Sequence, residues 1–103
     1  MYARMSRFKV KRERIDDVIA FRNSRLLKLR QLNGLNYLLG LVADDGEILV
    51  IAIYESKEHA ESPQVLAVAG DFWFRMGGIV EAEGMTIQKY DVLHFDDFTS
   101  GTA

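Results

Sequence analysis

The chain has 103 residues, the size of a single domain, which buries roughly two-thirds of its unfolded surface on folding. With 49% hydrophobic and 27% charged residues and a net charge of −2, it has the composition of a globular domain and excludes disordered, collagen-like and low-complexity chains. The absence of cysteine excludes disulfide scaffolds, thiolate metal centres, iron–sulfur clusters and thiol nucleophiles. The charge is unevenly placed: residues 1–31 hold 10 Lys/Arg against 3 Asp/Glu, whereas residues 32–103 hold 3 against 12. The opening MYARMSRFKV alternates polar and apolar residues without the apolar core of a signal peptide. The longest apolar run, Ile48 to Tyr54, is far short of the ~20 residues that cross a bilayer, so a cytoplasmic location without membrane contact is expected.

Residues 2–10 have period two and predict a first strand, with Tyr2, Arg4, Ser6, Phe8 and Val10 on one face. Of the alternate set, the small apolar Ala3 and Met5 are expected to lie under helices. From Glu13 to about Leu32 the period becomes helical, with Ile15, Val18, Ile19, Leu26 and Leu29 on one stripe. Asn33-Gly34 supplies the helix stop, following Lys28 and Arg30 in the last turn. Leu35–Val42 and Ile48–Tyr54 flank an Asp-Gly pair and predict a β-hairpin. Ser56 is placed to cap a short turn, and Ser62-Pro63 to start a second helix ending at Gly77-Gly78, with Val65, Val68, Ala69, Phe72 and Met76 inward and Trp73 on the flank. Residues 85–95 have strand composition, Glu81 and Glu83 read as a solvated loop, and 96–103 is expected to fray.

The order β-α-β-β-α-β predicts an α+β, ferredoxin-like protomer: one domain over residues 1–95, with a four-stranded antiparallel sheet and both helices on one face. The middle strands are nevertheless apolar on both faces, whereas a sheet with one wet face alternates polar and apolar. The chain is too short to supply a second covering layer. A homodimer packed sheet to sheet is therefore expected.

Four segments, YARMSRFKVKRERIDDVIAF, LNGLNYLLGLVADDGE, AIYESKEHAES and YDVLHF, together resemble the antibiotic-biosynthesis-monooxygenase-like domains of the dimeric α+β barrel superfamily over nearly the whole chain. The resemblance implies a ferredoxin-like protomer whose two sheets pair into a dimeric barrel, with a pocket between helices and sheet in each protomer. Some such proteins oxidise aromatic polyketides with molecular oxygen and no cofactor, and others degrade haem. The haem-degrading pattern pairs an early-strand asparagine with a helical tryptophan and a following histidine. Trp73 matches the second role, but strand 1 has no asparagine and no histidine lies between Trp73 and His94.

Arg22 falls inside the apolar stripe of the first helix, where an unpaired guanidinium is costly. Either it points into a pocket to bind an anionic or phenolate oxygen, or it pairs with a carboxylate or snorkels to solvent. His94, in line with Tyr90 near the end of the last strand, is the candidate base; a solvated or interface role is its alternative. Tyr2, Arg4, Tyr37, Tyr54, Trp73 and Tyr90 are the candidate pocket residues, although Arg4 also suits the dimer interface and Trp73 plain core. His59 reads as surface, and two isolated histidines make no metal site. The basic N-terminal third lacks the aromatic motif of a sheet-reading RNA binder, so no nucleic-acid partner is expected. It is expected to form a solvated face meeting acidic residues of 81–97. These readings favour a cofactor-free monooxygenase or a binder of a small aromatic, quinone-like ligand. The alternative is a non-catalytic homodimeric binding or assembly module.

Overall fold

The computed structural model describes residues 1–99, except for the side chains of 81–85. The elements are β1 (Tyr2–Val10), a 3₁₀ turn (Arg12–Arg14), α1 (Ile15–Ser24), α2 (Leu26–Arg30), β2 (Leu35–Val42), β3 (Glu47–Tyr54), α3 (Lys57–Ala60), α4 (Pro63–Met76) and β4 (Val80–Asp91). All strand pairs are antiparallel, in the order β2-β3-β1-β4. Residues of α1 and α4 pack against one sheet face, through Phe8, Val10 and Ile48. This is the expected ferredoxin-like α+β topology.

Local chemistry accounts for the element boundaries. Gly34 (φ +82°) and Gly46 (φ +90°) adopt the left-handed backbone that glycine tolerates. Gly46 N–H donates to Ala43 O at 3.0 Å to close the hairpin turn. Ser56 and Ser62 cap α3 and α4 by accepting from the backbone N–H groups of His59 and Val65, both at 3.3 Å, and Pro63 takes the first helical position of α4.

The single helix expected over 13–32 is divided at Arg25, whose φ of −106° and ψ of 4° leave the helical basin. Ser24 Oγ donates to Phe21 O at 2.7 Å, a local bond that competes with the helical ladder. The expected last strand is shifted towards the N-terminus as well. β4 starts at Val80, opposite Val10, because β1 offers backbone partners along that length despite the polar side chains; it stops at Asp91, opposite Tyr2, where β1 ends. Residues 92–95 thus lie beyond the ladder, and Val92 N–H donates to Met1 O at 3.0 Å. The reading of Glu81 and Glu83 as a solvated loop is corrected for the backbone, which is strand, while their side chains and residues 100–103 of the expected tail lie outside the described residues.

The two faces of β1 are the reverse of expectation. Phe8 and Val10 are each 1% exposed, and period two places Tyr2, Arg4 and Ser6 with them on the helix side. Ala3 and Met5 share the open face with Arg7 and Lys9, which pair with Glu47 and Asp45 at 3.6 Å. The large buried side chains of Phe8 and Val10 outweigh the small apolar character of Ala3 and Met5 in setting the parity. Among the described residues the carboxylate partners of the basic N-terminal third are Asp17, Asp45, Glu47 and Asp71; Glu81 and Glu83, part of the acidic surface expected to meet it, have side chains outside the described residues.

Across the open face, Tyr37, Leu39 and Leu41 of β2 share a side with Leu49, Ile51 and Ile53 of β3 and with Ala3 and Met5. Leu39 is 52% exposed and Tyr37 and Leu41 are each 47% exposed, so the surface is broadly apolar. Tyr37 stacks on Phe95 with ring centroids 4.6 Å apart. Among the described residues, no helix is long and apolar enough to cross a membrane.

Candidate functional site

The helix-side face of the sheet has a sequence of rows that leaves a gap. At one end Val42, Ile48 and Phe8 stand opposite one another across β2, β3 and β1; at the other end stand Leu35, Tyr54 and Tyr2. Between them the row Gly40, Val50 and Ser6 is small, and a Cβ at Gly40 would meet no atom within 4 Å. The buried core is accordingly split. One cluster contains Phe8, Val10 and Ile48, packed by Phe72 and Trp73; the other contains Ala52, Tyr54, Ala60 and Val65, packed by Tyr2, Leu32 and Leu35.

A cavity of about 530 Å³ occupies the space over the small row. That volume suits a small molecule. Its roof is formed by Ile15, Val18 and Arg22 of α1, Leu26 and Leu29 of α2, and Val68, Ala69, Phe72 and Trp73 of α4. Neither α1 nor α2 buries any residue fully, in keeping with helices that span a space instead of sealing a core. Trp73 packs edge-on to Phe8 at 5.2 Å and to Phe72 at 4.8 Å, so one wall is aromatic and held by ring contacts.

The lining is mainly apolar, with a few polar groups: Arg4, Ser6, Arg22, Arg25, Tyr54 and Asp71. Asp71 accepts from Arg25 Nε at 3.1 Å and from Arg75 Nε at 2.8 Å, tying the α1–α2 junction to α4. The hydrogen bond from Arg75 is the largest influence holding the Asp71 carboxyl below its usual value, with Arg25 adding to it. Arg25 also lies 5.0 Å over the Phe21 ring. By contrast, Arg4 and Arg22 have no carboxylate within ion-pair distance among the described residues. Burial pushes the Tyr54 hydroxyl above its ordinary pKa, opposed by the nearby Arg4 charge, so at neutral pH it is a phenol able to donate.

Arg4, Arg22, Tyr54 and Trp73 therefore line one space, while Tyr2 packs beside its far wall without lining it. The other candidates lie elsewhere. Tyr37 faces the open side, and so does Tyr90, which stands opposite Ala3 in the ladder and donates from its hydroxyl to Gln88 Oε1 at 2.9 Å. His94 lies past the end of β4, 73% exposed in its side chain, with Nδ1 3.0 Å from Asp96 Oδ2. It does not line the cavity, so Arg22 and His94, the two catalytic candidates, are not brought together. His59 is half-buried, contrary to its surface reading, because Ser56 Oγ lies 2.6 Å from its Nδ1 and the ring covers the space a Cβ at Gly34 would need.

Arg25 and Asp71 also line the cavity and were not among the candidate residues, whereas Ser6, beside Arg4 on the same face of β1, was read as an interface or cavity polar group. The Arg25–Asp71 bond joins residues 46 positions apart. The local signal for it is modest: an i,i+4 Asp71/Arg75 pair and a cation one turn after Phe21. Among the described residues, no group of three or more His, Cys, Asp or Glu is placed to hold a metal ion.

The topology and the cavity define a ferredoxin-like α+β protein with a partly open, ligand-sized space between helices and sheet. Its fold is shared with solved proteins. Rv0793 from Mycobacterium tuberculosis is 18% identical with a TM-score of 0.66, over 93% of this chain and 98% of its own. A Bordetella bronchiseptica protein provisionally named an antibiotic biosynthesis monooxygenase is 10% identical with a TM-score of 0.72, over 90% and 97%. A further antibiotic biosynthesis monooxygenase is 15% identical with a TM-score of 0.62, over 91% and 100%. No protein-family model and no curated protein matches the sequence. At these identities the likeness is one of fold.

Proposed function

We propose that the protein binds a planar aromatic or quinone-like molecule in the helix–sheet cavity and oxidises it with molecular oxygen without a cofactor, as a homodimer paired through the open sheet faces. The observation that carries this reading is the cavity itself: about 530 Å³ of mainly apolar space with an aromatic wall and two guanidinium groups, Arg4 and Arg22, that have no carboxylate partner among the described residues. A module serving assembly alone would gain stability by filling it. The provisional monooxygenase name of a protein sharing the fold supports the same direction.

In the proposed reaction the electrons come from the ligand. Deprotonation of an electron-rich phenolic ring gives an anion that reacts with O₂; a ring CH₂ becomes C=O, one oxygen atom enters the product and the other leaves as water. The four-electron oxidation of the carbon matches the reduction of O₂. The protein's part is to orient the ring, exclude water and hold Arg22 beside the developing oxyanion. The contiguous apolar surface of Leu39, Leu41, Leu49, Ile51 and Ile53 supports pairing with a second copy, because a two-fold interface covers the same patch on both chains.

The test combines oxygen uptake with quenching of Trp73, the single tryptophan, using hydroxylated naphthalenes and anthrones. Saturable quenching and consumption of one O₂ per ligand are expected, with turnover reduced in Arg22→Met. Quenching without oxygen uptake would remove the oxidation step, and the absence of quenching by every planar aromatic tested would overturn the reading entirely.

A further inference from the structure

The cavity's ionised groups are out of balance. Arg25 and Asp71 form an ion pair, whereas Arg4 and Arg22 have no carboxylate partner among the described residues. Arg22 sits on an exposed part of the roof, but Arg4 rises from the sheet floor and is half-buried. Its cross-strand neighbour on β4 is Lys89, on the same face, so two cations stand side by side. Like charges directly opposite on a sheet cost stability. Lys89 is relieved by Glu61, at 3.4 Å, and Arg4 is not. Next to Arg4 lies Tyr54, buried but bordering the cavity, whose hydroxyl has no hydrogen-bond partner among the described residues. A guanidinium and a phenol therefore both offer donors at one end of an apolar space whose other end is Phe72 and Trp73.

We propose that this end of the cavity is a carboxylate subsite: Arg4 and Tyr54 receive the carboxylate of an aromatic acid whose ring lies over the Gly40–Val50–Ser6 row toward Trp73. The inference deepens the proposed aromatic-binding function and rests on it, adding that the natural ligand is an acid and not a neutral quinone. A guanidinium offers paired N–H donors matching the two oxygens of a carboxylate. The surrounding apolar wall strengthens that contact by excluding water. A neutral ligand would leave the Arg4 charge uncompensated beneath it.

Titrating the full-length protein with 2-naphthoate and with its neutral isostere 2-naphthamide, followed by Trp73 fluorescence and calorimetry, tests the subsite. The acid is expected to bind about 10- to 100-fold more tightly, the range of a charge-assisted hydrogen-bond pair. The preference should vanish in Arg4→Met, survive in part in Arg4→Lys and shrink in Tyr54→Phe, with the affinity for 2-naphthoate falling more than that for 2-naphthamide in each. If Arg4→Met does not fold, Arg4→Lys and Tyr54→Phe carry the comparison, because each retains the position of its side chain. Equal affinities, or an acid preference that persists unchanged in the folded Arg4 and Tyr54 variants, would overturn the carboxylate subsite and leave the aromatic cavity standing. Failure of both compounds to bind would remove the subsite and the cavity's proposed function together. Decanoate separates the two sources of a carboxylate, since binding as tight as that of 2-naphthoate would refute the aromatic-acid assignment.

Discussion

Replacing Val50 with phenylalanine sets the proposed role of the cavity against its alternative as imperfect packing. Val50 is half-buried at the centre of the small row, between Ser6 and Gly40, with the cavity above it. Phenylalanine adds about four carbons. At ~0.8 kcal/mol for each buried carbon unit the full gain would be about 3 kcal/mol, and the partial enclosure of the site reduces it to about 1–2 kcal/mol. For a domain of this size that raises the melting temperature by roughly 4–8 °C per kcal/mol. The same ring occupies the space assigned to a ligand, so Val50→Phe should melt higher and lose quenching of Trp73 by 2-naphthoate. Thermal melting by circular dichroism and a fluorescence titration on one preparation measure both quantities. A melting temperature lowered by overpacking, combined with undiminished binding, would refute the placement of both the space and the ligand.

The remaining predictions concern the frame around the cavity. Gly46→Ala should destabilise the protein by at least about 1 kcal/mol in urea titration, since φ is +90° there and an added Cβ would lie 2.5 Å from Val10 O. Asp71 has a folded-state pKa below the usual 3.8, so its ion pairs with Arg75 and Arg25 favour the folded state at neutral pH and are lost as pH falls below that value through the lowered one. Melting curves of the wild type and Asp71→Asn should therefore differ at pH 7 and converge towards pH 2; a constant difference would contradict the assignment. Leu39→Glu, at a half-exposed position, should leave the secondary structure intact while converting a sedimenting species of twice 11.7 kDa into one of 11.7 kDa. A wild-type monomer at micromolar concentration would remove the sheet-to-sheet dimer.

Periodic and capping signals made much of the fold legible in the sequence. The hairpin and the Ser56 and Ser62 caps depend on residues close together in the chain, where a local rule decides; the helix expected to stop at Asn33-Gly34 ends earlier, at Arg30, and the positive φ of Gly34 serves the turn into β2. The choice of inward face on β1 was harder, because Ala3 and Met5 favour one parity and Phe8 and Val10 the other; the face carrying Phe8 and Val10 is the buried one. Composition also misled on β4, whose extent is determined by the length of its partner. Of the cavity lining, Arg22 and Trp73 were legible from their positions on amphipathic helices. Arg25 with Asp71 was not, since their pairing depends on how two helices meet. The cavity was hidden for the same reason: Gly40, Val50 and Ser6 come from three strands, and only the register makes them one row.

The shared parity of Phe8 and Arg4 ties folding to recognition in a way that constrains how this gene can change. An insertion or deletion of one codon between Ser6 and Phe8 would restore only one of the two segments to its proper side. If the chain kept Phe8 inside, Arg4 would turn to the open sheet face and the cavity would lose its floor cation. If it kept Arg4 inside, the ring supporting Phe72 and Trp73 would be expelled. Length changes in this strand are therefore tolerable only in pairs, whereas the hairpin tip at Asp44 and Asp45, exposed and outside the cavity lining, is free of that arithmetic.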